Sequence, residues 1–515
     1  MMILRVATIM NIILLLLVFS SEAKDYLITD FGAVPNSNVL NTKAIQAAID
    51  KANAEGGGMV KVPVGTFLSG TIYLKSNVNL HLSPGSVLLG TPKKELYENE
   101  ALIYAEDQHD IAISGNGKID GQGWHSNFRS KNHLNGIPGR PIAVWFKNCR
   151  FVTLENFTLV NSACWCIKLQ ECVFATADKL NVLSRVVANN DGIDVCDCHN
   201  VTISNCKFDC GDDAICVKSD SYFGVENMTV SNCIIRSESN GIKFGTSSVG
   251  GFRNVTINNC VIYDTRLSGI ALEVVDGATM QNISIGNITM KEVNGGIFIK
   301  LGHRSGEKPG ILRDVIIHDI IATGIGIWKP DTTASYFKLP KGSPLIGMSV
   351  LGLPGYEVEN ILLSNIYMQF AGGGSSEDAC REIEDTPSVY PEYTNAGITP
   401  AYGINVKNAK RISLSNVRLE YIEEDFRPAF YLKNVEEAEL SQVKMKISPE
   451  AGSFIMLEDV RNVVISQCKP AAKTVPFLEL KGIIENISVI NNDLSQVKQP
   501  FVSNRTVSQS EIKIK

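Results

Sequence analysis

The chain has 515 residues, a formal net charge of −6 and 13 cysteines. The small negative balance leaves no basic footprint, which argues against nucleic acid as a partner, and the odd cysteine count leaves at least one thiol unpaired in a single chain. The length would suit about three globular domains, but a solenoid grows by adding coils and escapes that division.

Residues 1–23 carry Arg5, an apolar run from Ile12 to Phe19 and the small-residue stretch Ser21-Glu22-Ala23. That is the pattern of a secretory signal, too short for a membrane span. It predicts an exported protein, periplasmic or extracellular, with no span in the mature chain. Tyr26 to Ala33 reads as a first strand and turn. Thr42 then caps an amphipathic stretch, Ala44 to Ala52, ended by Gly56-Gly57-Gly58. Residues 59–89 alternate in the manner of strands broken by Gly and Pro.

The middle of the chain is a repeat. Asp191-Gly192-Ile193-Asp194-Val195 returns as Asp213-Ala214-Ile215-Cys216-Val217, Asn240-Gly241-Ile242-Lys243-Phe244, Ser268-Gly269-Ile270-Ala271-Leu272 and Gly295-Gly296-Ile297-Phe298-Ile299. Short β-branched runs at this period predict an all-β chain, a right-handed parallel β-helix whose stacked coils bury a shared core, with the short N-terminal helix as its cap. Strand residues alternate between faces. Ile193, Ile215, Ile242, Ile270 and Ile297 therefore form one inward column. Asp194, Cys216, Lys243, Ala271 and Phe298 form an outward one, and Cys196, Lys218, Gly245, Glu273 and Lys300 another.

A second phrase marks the coils independently: Asn200-Val201-Thr202, Asn227-Met228-Thr229 and Asn254-Val255-Thr256, with degenerate copies from Asp110, Asn282, Asp314, Asn360, Asn462 and Asn486. These triplets match glycosylation acceptors, but their recurrence favours structural Asn and Thr ladders. Cys206, Cys233 and Cys260 end successive copies and predict an inward ladder of buried thiols. The Cys-X-Cys pairs, Cys164/Cys166 and Cys196/Cys198, fall on strands and would each share one face. Residues 121–140, 329–356 and 372–402 break the period; long loops in a compact domain are usually functional, and these would wall a groove. After about residue 425 the copies weaken, which predicts irregular coils within a single domain over 24–515.

Asp191 and Asp213 open successive strands, with coils about 4.8 Å apart, and Asp212 lies beside them. Three crowded carboxylates raise at least one pKa and leave an acid and a base side by side. Asp30-Phe31-Gly32-Ala33, the helix with its Gly triplet, Trp165, Asn189-Asn190-Asp191-Gly192 and Gly211-Asp212-Asp213-Ala214 together resemble landmarks of glycoside hydrolase family 28, the polygalacturonase family of pectin-cleaving β-helix enzymes.

The resemblance implies inverting hydrolysis of an α-linked galacturonosyl bond in a pectic polysaccharide or oligosaccharide, without metal or cofactor, by a monomer, endo- or exo-acting or directed to rhamnogalacturonan. It assigns Asp212 as general acid, and Asp191 with Asp213 as the groups that orient and deprotonate water. Two departures stand out. Ser239-Asn240-Gly241 replaces Gly-His-Gly, losing an imidazole, and Ala271-Leu272-Glu273 replaces Arg-Ile-Lys, losing two cations suited to a uronate. Candidate substrate-binding residues are Trp165, Lys218, Asn240, Lys243, Glu273, Lys300 and Arg304, with His125 and His133 as further groove candidates. Two other readings stay open: a pectate-lyase-like eliminase using calcium and Lys243 as base, and a carbohydrate-binding β-helix without turnover.

Overall fold

The computed structural model describes residues 24–129, 138–330, 338–470, 472–508 and 510–515. The expected signal segment 1–23 and His133 lie outside them. Among the described residues no helix is long and apolar enough to cross a membrane.

The helix Thr42–Ala54 buries Ile45, Ala48, Ile49 and Ala52 against the first coils, so the apolar spacing read from the sequence is its packed face. The residue before it is Asn41, not Thr42, at the N-cap. Asn41 Oδ1 accepts from Val34 N at 2.7 Å, while Thr42 Oγ1 accepts from Gly70 N at 2.8 Å and ties the helix start to a neighbouring coil.

The strands after the helix pair in parallel, coil upon coil. Ile193–Cys196 pairs with Ile167–Gln170 on one side and Ile215–Ser219 on the other. Ile193, Ile215, Ile242, Ile270 and Ile297 stand in one continuous register, fully or almost fully buried. The Gly of the repeated phrase answers to space. A Cβ on Gly192 would lie 2.4 Å from the Ala214 carbonyl oxygen, and one on Gly241 2.8 Å from that of Gly269.

The Asn phrase marks corners rather than strand interiors. Asn200, Asn227, Asn254 and Asn282 all have φ between 56° and 58°, and Asp110, Asp314, Asn360, Asn462 and Asn486 share that left-handed conformation, which Asn and Asp tolerate better than other side chains. Their amides form a ladder: Asn227 donates to Asn200 at 3.2 Å, Asn254 to Asn227 at 3.1 Å and Asn282 to Asn254 at 3.0 Å. Thr229 and Thr202 hydroxyls meet at 3.4 Å beside it.

Cys206, Cys233 and Cys260 form the expected buried column, and all thirteen thiols are unpaired. The Cys-X-Cys pairs do not share a face. Asp197 adopts φ 51° and turns the chain between Cys196 and Cys198, so Cys198 enters the core while Cys196 stays beside Lys218 in the outward column. Cys166 likewise joins the core and Cys164 stays partly exposed. Parallel pairing continues after residue 425, with a register shift between Glu458 and Val460. Phe430, Ile455, Leu478 and Phe501 continue one register, because the inward positions keep their apolar residues even where the Asn phrase fades.

The segment 372–402 folds back over the outward face of the coils that follow the acids. Its Ile383, Tyr393 and Ala396 form a second apolar cluster with Leu267, Phe298, Leu351, Tyr431 and Met456. That cover explains why the outward column changes from polar at Lys243 to apolar at Phe298.

Candidate active site

Register places Asp191 beside Asp213. Gly192 N donates to Asp213 O at 2.9 Å, and Asp212 N donates to Asn190 O at 3.3 Å. Asn190 is fully buried and holds the loop ahead of Asp191: its Oδ1 accepts from Val186 N and Val187 N, and its Nδ2 donates to Ser162 O and Cys164 O. The acids thus sit on backbone pinned from both sides.

Their environments differ. Asp213 Oδ1 accepts from Asn240 N at 3.0 Å and Asn240 Nδ2 at 2.9 Å, and Oδ2 lies 3.5 Å from Lys243 Nζ. Burial alone would raise its pKa, but the Lys243 and Lys218 ammonium groups and the bonds from Ser239 and Asn240 bring it down to about 2. At Asp212 the balance reverses. Burial, then the charges of Asp191 and Asp213, push it up to about 8 against a weaker pull from Lys243. Burial also lifts Asp191 to about 8, against the pull of Lys218, with Asp194 and Asp213 adding repulsion. One carboxyl therefore keeps its proton at neutral pH while its chain neighbour is ionised, which separates an acid from a base.

Lys218 Nζ lies 3.0 Å from Asp191 Oδ2, also pairs with Asp194, and sits 4.2 Å from the centre of the Trp165 ring. Lys168 approaches the same ring at 5.1 Å, so the indole expected to stack on a sugar is seated against two ammonium groups. Donor atoms of Asp191, Asp194 and Cys216 lie within 4.8 Å of one another. The ammonium already paired with both carboxylates disfavours a metal cation there.

Lys243 is buried and central. Besides Asp213, its Nζ meets Glu392 Oε1 at 3.0 Å, Tyr390 Oη at 3.1 Å and Glu273 Oε2 at 3.9 Å. Asn240 occupies the place where the resemblance expects an imidazole, and its two bonds to Asp213 supply the support that the imidazole would give. Glu273 is wholly buried, so it acts on Lys243 from behind rather than facing a substrate. Lys300 donates to Asp385 O at 2.6 Å, and burial lowers its pKa to about 8. Arg304 pairs with Asp276 at 2.6 Å. The structure therefore gathers Asn240, Lys243 and Glu273 around Asp213, and Lys218 and Trp165 around Asp191. Lys300 and Arg304 are engaged elsewhere.

A pocket of about 470 Å³ opens over Asp212 and Asp213, with Lys243 at its base, Arg266 in one wall and Leu339, Tyr390 and Glu392 in another. Two of the three period-breaking segments thus wall the acids, as expected. The third anchors the rim: Arg140 donates to Ala188 O at 2.6 Å and to Asn189 Oδ1 at 3.0 Å. The described part of that loop holds His125, which accepts from Asn127 N at 3.1 Å and does not line the pocket. Sequence reasoning missed Arg266, Tyr390 and Glu392. Arg266 falls in the register shift between Thr265 and Ser268, where the period supplies no position.

Comparison with known proteins places this geometry. The model of glycosyl hydrolases family 28 matches residues 56–354. A probable polygalacturonase of Vitis vinifera is 30% identical over 225 residues, covering 39% of this chain and 45% of the relative. An exo-poly-alpha-D-galacturonosidase of Dickeya chrysanthemi is 35% identical over 133 residues, 22% of each chain. The alignments thus span less than half the length of these curated relatives. Among solved structures, an exopolygalacturonase of Thermotoga maritima superposes with a TM-score of 0.60 at 23% identity, covering 78% of this chain and 92% of the other. A family 28 exopolygalacturonase of Yersinia enterocolitica gives 0.55 at 18% identity, covering 92% and 79%. These share the right-handed parallel β-helix. The family match, over more than half of the chain and across Asp191, Asp212 and Asp213, shows that this protein belongs to glycosyl hydrolases family 28.

Proposed function

We propose that the protein hydrolyses α-linked galacturonosyl bonds in pectic polysaccharide or oligosaccharide, with inversion and from chain ends. The observation that carries the reading is that Asp212 and Asp213 line one pocket and Asp213 is bound by Asn240 and Lys243, an arrangement that favours the ionised form at Asp213 and the protonated form at Asp212. Asp212 donates its proton to the leaving glycosidic oxygen as the bond from the anomeric carbon breaks. Asp213 takes a proton from the water that forms the new bond on the opposite face. Asp191, held with Asp194 by Lys218, orients that water. Arg266 and Lys243 supply the positive charge that a uronate carboxylate requires, from positions other than the missing Arg-Ile-Lys. Trp165, Lys218, Lys300 and Arg304 act behind or beside the pocket, and Asn240 and Glu273 through Asp213 and Lys243. The exo-acting name of the Dickeya relative supports attack at chain ends.

The eliminase reading needs Lys243 neutral. Burial alone would lower its pKa, but the negative charges of Asp213, Glu273 and Glu392 hold it well above the ordinary lysine value, so the ammonium keeps its proton and is not available as a base. A polymeric substrate fits an exported, monomeric, single-domain enzyme acting outside the cytoplasm. The test is hydrolysis of homogalacturonan, rhamnogalacturonan and short galacturonosides with products identified. Saturated monogalacturonate released with inverted anomeric configuration is the expected result; unsaturated, ultraviolet-absorbing ends, or no turnover of any of the three, would reject the proposal.

A further inference from the structure

The corner that precedes each strand of the second face carries an Asn or Asp in most coils; Arg411 and Glu437 depart from this late in the chain, and Phe151 and Phe174 depart from it with aromatic rings. In register along that corner stand Asp110, Phe151, Phe174, Asn200 and Asn227, with φ of 52°, 54°, 59°, 57° and 58°. A bulky aromatic side chain avoids this left-handed conformation, and retaining it in two successive coils is the kind of strain that functional sites keep. Burial gives no compensation, since Phe151 and Phe174 are 49% and 44% exposed. Instead the rings lie face to face, 5.1 Å between centres and 5° from parallel.

The two rings line a shallow groove of about 740 Å³, larger than the catalytic pocket, whose polar margin is Thr153, Thr176, Thr202 and the Asn200–Asn227 ladder. Arg150 holds its guanidinium 5.8 and 5.9 Å from the two ring centres. Among the described residues no carboxylate pairs with it. Asp110, the nearest acid of the corner column, is paired with His109 at 2.8 Å. Apolar platforms, hydroxyl and amide partners and one unneutralised cation match the C–H faces, hydroxyls and carboxylates of a uronic-acid glycan. A protein partner would call for a continuous apolar face, which the Thr and Asn ladders interrupt.

We propose that the Phe151–Phe174 groove is a second, non-catalytic site for a strand of acidic polysaccharide. It lies one corner away from the catalytic face, in the coils just before the acids: Phe151 and Phe174 stand near the starts of Arg150–Glu155 and Val173–Asp178, and Asp191 and Asp213 precede Ile193–Cys196 and Ile215–Ser219 one or more coils further on. A strand held there keeps its ends at high local concentration near the pocket.

The test uses the full chain bearing Asp212→Asn to stop turnover, run in native gels containing polygalacturonate, with the pocket saturated by a short galacturonate oligomer. The parent is expected to be retarded. Phe151→Asn with Phe174→Asn places in these coils the residue that neighbouring coils use, and is expected to weaken the retention about fivefold or more while leaving the melting temperature undiminished. With Asp212 intact, the same pair of substitutions leaves hydrolysis of a short galacturonoside unchanged. Arg150→Gln weakens retention on polygalacturonate and not on a neutral galactan. Equal retention of parent and double variant, no retention of the parent, or a dimer that the double variant dissociates without a change in retention would each overturn the proposal. Retention lost in the double variant of a chain that hydrolyses no galacturonoside would sustain the groove and remove the hydrolase reading, so the two fail separately.

Discussion

Lys243 Nζ lies 3.5 Å from Asp213 Oδ2 across one coil step, both groups buried. This contact, reinforced by Asn240, keeps Asp213 ionised in a place where burial alone would protonate it. Lys243→Met removes the cation and leaves Asp213, Glu273 and Glu392 uncompensated. The acid limb of kcat/KM, set in the parent by a group near 2, moves up past the ordinary carboxylate value. Stability falls by about 3–5 kcal/mol in urea unfolding. Because the native pKa of Asp213 is depressed, its contribution is present above the unfolded value and lost as pH falls through the folded one; the variant loses that acid-dependent component.

Asp212 has the opposite sign. Its proton is retained up to about 8, so the general acid is present below that pH and the rate falls above it. Asp212→Asn lowers kcat about 10²- to 10⁴-fold with little change in KM. The raised pKa contributes stability that is full below the unfolded carboxylate value and lost as pH rises through about 8. Melting temperatures of the variant therefore decline less than those of the parent between neutral and alkaline pH.

Gly192 is tested by one methyl group. A Cβ there meets the Ala214 carbonyl oxygen at 2.4 Å and Cys210 Sγ at 2.8 Å, atoms that cannot swing away. Gly192→Ala costs about 1–3 kcal/mol by overpacking and shifts the backbone that carries Asp191, so activity drops more than the loss of folded protein accounts for.

The thiols offer a test of the core. Cys380 is exposed and Cys164 partly so, while the other eleven cysteines are buried. A thiol reagent applied to the native protein labels Cys380 rapidly and Cys164 slowly. In denaturant without reductant all thirteen react; a smaller number would reveal disulfides that the ladder reading excludes.

The coil register is legible in the sequence because one alternation repeats with little change. Ile193 through Ile297 and Asn200 through Asn282 each announce their own period, and so the meeting of Asp191 with Asp213 is readable from spacing alone. Contacts that cross the period are not. Glu392 reaches Lys243 from 149 residues away in a segment with no repeat, so its side-chain partner has no signal in spacing. Asn41 rather than Thr42 precedes the helix, and its side chain bonds Val34 and Val39 in the preceding loop rather than the helix, contacts that periodicity does not register. The Cys-X-Cys pairs mislead for a related reason: a left-handed residue between Cys196 and Cys198 breaks the alternation on which a shared face depends.

The arm that closes over Lys243 also separates two boundaries usually drawn together. The family match ends at residue 354, yet Tyr390 and Glu392 complete the pocket from beyond it. A chain cut at the end of the match would keep Asp191, Asp212 and Asp213 and lose Glu392, so the signature acids and a partner of Lys243 fall on opposite sides of that boundary.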